Sequence, residues 1–74
     1  MNDVNIYTAS CFNSMKEYEA QNMSYSVFEN IDFHQFPYTI SFFRSDFRGA
    51  KFQKVLFYKN NLDRADFLNS IFIE

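Results

Sequence analysis

A chain of 74 residues with a net charge of −2 is one domain at most, and a core of that size supplies only about 3–5 kcal/mol of net stability unaided. Eleven Phe and five Tyr stand against one Gly, one Pro and no Trp, so hairpins that turn on Gly and Pro are excluded. Either the chain is helical or its corners are made by some other recurrent device.

From the N-terminus, residues 1–20 begin Met-Asn-Asp-Val-Asn, without the positive flank and apolar run of a signal peptide, and no later stretch is long and apolar enough to span a bilayer. The lone Cys11 excludes an intramolecular disulfide and cysteine-pair metal sites, which fits a reducing cytoplasm. Ser14-Met-Lys-Glu17 reads as a capping box, and it predicts a short helix near 15–21 that covers whatever follows. Residues 1–39 carry Lys16 against Asp3, Glu17, Glu19, Glu29 and Asp32, a net −4, whereas residues 40–74 carry a net +2.

A five-residue step organises the rest. Phe42, Phe47, Phe52, Phe57, Leu62, Phe67 and Phe72 fall five apart, and two residues before each stands Ile40, Ser45, Ala50, Val55, Asn60, Ala65 or Ser70, small or β-branched in every case but Asn60. On an α-helix, a spacing of five spirals around the axis. On a flat strand it alternates faces, so half the Phe residues would meet water. A chain that turns a corner once per pentad can point the same two positions inward every time. Upstream, residues 21–39 keep the step in degenerate form at Met23, Phe28, Phe33 and Tyr38, with one residue missing before Phe47. The Phe42-Phe43 doublet absorbs the slip, and Phe43 is expected to face outward.

This pattern, with Ala65-Asp66-Phe67-Leu68-Asn69 as its clearest instance, resembles the pentapeptide repeat proteins. The resemblance implies an all-β fold: a right-handed parallel quadrilateral β-helix, four pentads to a coil. Residues twenty apart would then stack, Phe42 on Leu62, Phe47 on Phe67 and Phe52 on Phe72. The count gives under three coils, with 1–20 as cap, 21–39 as a degenerate first coil and 40–74 as regular repeats. The expected inward core is Phe28, Phe33, Phe42, Phe47, Phe52 and Phe57.

Chemistry is sought with little return. His34 and Asp32 flank an inward Phe33, but no nucleophile is placed beside them, and the solvated-surface reading is preferred. Gly49 stands alone, so no phosphate-cradling loop exists. No catalytic residue, cofactor or metal site is expected. Asp46 over Asp66 and Arg44 over Arg64 would stack like charges, which the resemblance connects to DNA mimicry against gyrase or topoisomerase. A mimic should be acidic along its rod, and this rod is not. Nucleic-acid binding is likewise disfavoured, because six scattered cations are offset by four acids. Lys54 over Glu74 is expected to pair across coils. No capping signal follows the last pentad, so Leu62, Phe67, Leu68, Ile71, Phe72 and Ile73 are expected to form an open end that stacks on a second copy, as a homodimer, or on further repeats of a longer chain. The leading expectation is a non-enzymatic structural or protein-interaction module.

Overall fold

A computed structural model describes residues 4–12 and 18–74. The chain winds as a β-helix whose strands come to lie side by side and parallel. Strands β1 (Ile6–Tyr7), β2 (Val27–Asp32), β3 (Lys51–Leu56) and β4 (Ile71–Ile73) form one four-stranded parallel sheet in that order. Phe52 pairs with Phe28 on one edge and with Phe72 on the other, while Tyr7 pairs with Phe28. The other sides are held by shorter pairings, such as Asn22 with Asp46, Asp46 with Asp66, and Ser41 with Asn61.

What turns the chain at nine corners is a residue in the left-handed region, two positions after an inward residue. Ala20, Tyr25, Asn30, Arg44, Gly49, Lys54, Lys59, Arg64 and Asn69 all have φ between 53° and 67°. At four of these corners the inward residue's carbonyl accepts from the N–H three residues on: Ser45 to Phe42, Ala50 to Phe47, Ala65 to Leu62 and Ser70 to Phe67, at 3.0–3.1 Å. With positive φ at the third position these are turns of the type II kind, which ordinarily calls for glycine there. Each L-residue so placed costs about 1–2 kcal/mol. The side chain before the inward residue offsets part of that cost by accepting the N–H that follows it. Asn22 accepts from Ser24, Asp46 from Arg48, Asn61 from Asp63 and Asp66 from Leu68, at 2.9–3.1 Å. Asp or Asn recurs before the Phe because its short acceptor reaches that amide.

The core is a set of ring columns. Phe28, Phe33, Phe42, Phe47 and Phe52 are fully buried and Phe57 is half-buried. Phe52 stacks nearly parallel between Phe28 at 4.8 Å and Phe72 at 4.7 Å, Phe47 stacks on Phe67 at 5.0 Å, and Phe33 stacks on Phe57 at 5.4 Å. Between columns the rings meet edge to face, as Phe42 does with Phe47. Ile31, Ile40, Ser26, Ser45 and Ala50 fill the narrower inward positions, all buried. Asn60, the misfit of that series, donates from Nδ2 to the Ile40 carbonyl at 2.8 Å and accepts from the Tyr58 amide at 2.9 Å, tying one coil to the next.

Four expectations need correction. First, the rod has more than three coils. Tyr7 stacks on Phe28 at 4.8 Å and the buried Phe12 packs on Phe33, so the ladder extends into residues 1–20. Second, Tyr38 is not the fourth inward residue of the first coil. Tyr18 takes that place above Phe42, its N–H donating to the Ser41 carbonyl at 2.7 Å.

Third, no residue is missing from the register. Phe28 and Phe52 pair 24 residues apart, so four residues are inserted between Phe33 and Phe42. That longer corner opens with a 3-10 turn over Phe33–Gln35, capped by Asp32, and Phe36 is extended before Pro37, as a residue preceding proline prefers. Phe42 is the buried member of the doublet, whereas Phe43 lies outside beneath Arg44, whose guanidinium carbon is 5.1 Å from the ring centre.

Fourth, the helix near 15–21 falls partly outside the described residues, and Tyr18–Gln21 do not form one. The Tyr18 and Ala20 amides donate to Ser41 and Phe43 of the next coil, and Ala20 has φ 56°.

Two stability outcomes follow from this packing. Phe42→Ala costs about 3–5 kcal/mol in chemical denaturation, while Phe43→Ala, its chain neighbour, costs less than about 1.5 kcal/mol. At Gly49 (φ 67°) an added Cβ would lie 2.5 Å from the Tyr25 ring. Gly49→Ala therefore costs about 1–2 kcal/mol, and a double-mutant cycle with Tyr25→Ala shows positive coupling between the two positions.

Candidate functional site: the open coil end

The last coil described is headed by Leu62, Phe67 and Phe72 on three sides of the square. Leu62 and Phe67 remain half-buried against the core. Leu68 (63% exposed), Ile71 (56%), Phe72 (58%) and Ile73 (42%) do not. Within this coil the Phe67 and Phe72 rings meet at 5.9 Å.

Where the fourth side would run, a groove of about 530 Å³ opens beneath the second half of β3, lined by Phe52, Lys54, Val55, Leu56, Phe72, Ile73 and Glu74. Val55 and Leu56 pair upward with Ile31 and Asp32, and no described residue pairs with them from below. The groove floor is apolar, with a cation and an anion at its rim. Lys54 and Glu74, expected to pair across coils, make no ion pair among the described residues. The sequence reading named the end but missed the groove.

Charge elsewhere is locally compensated. Arg48 holds Asp46 through Nε–H to Oδ1 (2.9 Å) and a terminal guanidinium N–H to Oδ2 (2.7 Å), and its Nε is 4.0 Å from Asp66 of the coil below. Hydrogen bonding from Arg48 holds the Asp46 carboxyl below the usual aspartate range, and the same contact raises the Arg48 guanidinium. The Asp46 over Asp66 ladder is therefore partly neutralised on its own surface. The His34 and Asp32 pair does not form a base: Asp32 Oδ1 accepts from the His34 backbone N–H at 3.0 Å, and the imidazole packs edge-on to Tyr58 at 4.2 Å. Cys11 is exposed, with its sulfur accepting from the Thr8 amide. Among the described residues no cluster of three or more His, Cys, Asp or Glu could hold a metal ion, and no helix is long and apolar enough to cross a membrane.

The family model of pentapeptide repeats in eight copies matches residues 40–74, the stretch that forms the regular C-terminal coils. No curated protein and no solved structure matches the chain.

The Asp46–Arg48 contact makes stability depend on pH in a stated direction. A carboxyl whose folded pKa is depressed contributes stability that is present above its unfolded value, near 3.8, and is lost as the pH falls through the folded value. Arg48 is exposed and Asp46 only half-buried, so solvent screening keeps the contribution small. Urea unfolding between pH 2 and 6 is expected to show this acid-side loss in the wild type and a shallower one in Arg48→Gln.

Proposed function

We propose that the chain, whose residues 40–74 match the pentapeptide repeat family, is a non-enzymatic structural and protein-interaction module that associates through its C-terminal coil. The observation carrying this reading is the run of exposed apolar side chains in the last coil, although Val4, Ile6, Tyr25, Leu56 and Tyr58 are exposed elsewhere on the rod. Leu68, Ile71, Phe72 and Ile73 are exposed together, beside an apolar groove and an unpaired strand edge. Edges and faces of this kind are where β-structures recruit another chain. The preferred occupant is a second copy, because the end already presents the ring and edge geometry that the rod stacks on internally.

We take the winding as right-handed, the sense that nearly all parallel β connections adopt. The exposed, free thiol of Cys11 suits a reducing cytoplasm. Mimicry of DNA against gyrase or topoisomerase is the weaker reading. It needs an uncompensated acidic surface, and the Asp46–Asp66 ladder carries Arg48 across it.

Light scattering on the 74-residue chain is expected to give the mass of a dimer in the micromolar range, and Phe72→Glu is expected to give a monomer whose circular dichroism is unchanged. A wild-type monomer at high concentration overturns the self-association reading.

A further inference from the structure

The N-terminal coil is fastened differently from the coils below it. Strands β2 and β3 turn their corners at Asn30 and Lys54 and pair again on the next side, Ile31 with Val55 and Asp32 with Leu56. In the N-terminal coil only Ile6 and Tyr7 pair with β2, and the Val27 N–H donates to the Asn5 carbonyl at 2.9 Å. The next side, Ala9–Phe12, is a 3-10 turn closed locally by the Cys11 N–H on the Thr8 carbonyl. The rings depart from the columns too. Phe33 lies flat on Phe57 with 4° between the rings, whereas 64° separates Phe12 from Phe33.

Two phenols stand where that ladder stops. Tyr18 donates its O–H to the Cys11 carbonyl at 2.8 Å, and Tyr38 donates to the Phe12 carbonyl at 3.1 Å. Tyr38 belongs to the longer corner between Phe33 and Phe42, so the inserted residues reach back to the coil above them. Below Tyr18 the same column holds Phe42 and Leu62, which carry no hydroxyl, and there the backbone pairs instead, the Phe42 N–H donating to the Asn61 carbonyl at 2.8 Å. We propose that residues 4–12 are a clasp, held shut by the Tyr18 and Tyr38 phenols, that opens as a unit while the rest of the rod stays wound. Phe12, fully buried at the end of the clasp, makes the opening all-or-none. Opening unstacks Tyr7 from Phe28 and lifts Phe12 from Phe33 and Phe42, which bares the upper faces of these three buried rings. Segments with few backbone bonds to the body of a protein are the ones that open below its global unfolding free energy.

Residue-resolved amide hydrogen exchange on the 74-residue chain tests the clasp. The Val27 amide reports on residues 4–12, because its acceptor is Asn5, and the Phe47 amide, bonded to the Asp66 carbonyl, reports on the rod. Phe67 packs on Phe47, Phe52 and Phe72, away from residues 4–12. Phe67→Leu is expected to speed exchange at Phe47 about fivefold and to leave Val27 within about twofold. Tyr18→Phe and Tyr38→Phe each remove one hydrogen bond and keep the ring, and each is expected to speed Val27 about fivefold. Tyr58 lies exposed on a lower coil, and Tyr58→Phe is expected to leave Val27 within about twofold.

If Val27 and Phe47 speed up together in Phe67→Leu, the chain opens as one cooperative unit and the clasp is overturned. A Val27 rate that neither Tyr18→Phe nor Tyr38→Phe moves by more than about twofold overturns it as well, because the N-terminal coil is then held by ring packing alone. Neither result bears on association through the C-terminal coil.

Discussion

Phe52 lies between Phe28 and Phe72 at 4.8 and 4.7 Å, with its ring within 12° of both. Hydrogen-bonded strands are separated by nearly the same distance. The rest of the architecture depends on this coincidence. A backbone that pairs with itself coil upon coil sets aromatic rings at their own stacking distance, so neither set of contacts must stretch to suit the other. The columns formed by Phe47 with Phe67 and Phe33 with Phe57 repeat the arrangement on other sides. Stacked rings are worth about 0.5–1.5 kcal/mol beyond the area they bury. That surplus matters in a chain too short for a conventional core.

The stack demands a corner at every fifth residue, and the corners are the expensive part. Eight of the nine left-handed residues are not glycine, and Tyr25, Arg44, Lys54 and Arg64 carry long side chains there. They are tolerated because the neighbouring amides are already engaged. Asp46 and Asp66 each accept the amide two residues on, and the amides of Arg44 and Gly49 donate to Asp63 and Leu68 of the coil below. Local acceptors and the next coil together determine conformations that an isolated pentad would not keep. In the last coil described, Leu68, Ile71, Phe72 and Ile73 are exposed. Arg48 shows the same economy in charge, serving the acid of its own coil and approaching the one beneath.

Much of this was legible in the residues, and the misses have a common cause. The period assigned Phe47 and Phe52 to the interior, because only a chain that bends once per pentad can bury a residue at every fifth place. The series from Ile40 to Ser70 marked the second inward position for the same reason. A period of five cannot, however, distinguish the loss of one residue from the gain of four, and the insertion before Phe42 was read as a loss. The same ambiguity hid Tyr7, Phe12 and Tyr18. Tyr7 and Phe12 keep the step, but the step from Phe12 to Tyr18 is six positions, and the capping-box pattern at Ser14 points towards a helix. Local propensity lost to coil pairing, since the Tyr18 and Ala20 amides are spoken for by Ser41 and Phe43. Left-handed corners were not legible at all: Arg44, Lys54 and Lys59 give no propensity signal for positive φ.

The central claim is that rings 20 and 24 residues apart lie face to face around one axis. Aromatic nuclear Overhauser spectroscopy on residue-selectively labelled Phe tests it most directly. The account predicts strong contacts from Phe52 to both Phe28 and Phe72, and from Phe47 to Phe67. Contacts confined to residues three or four apart, or Phe47 and Phe52 rings with solvent-exposed shifts and no long-range partners, would contradict it.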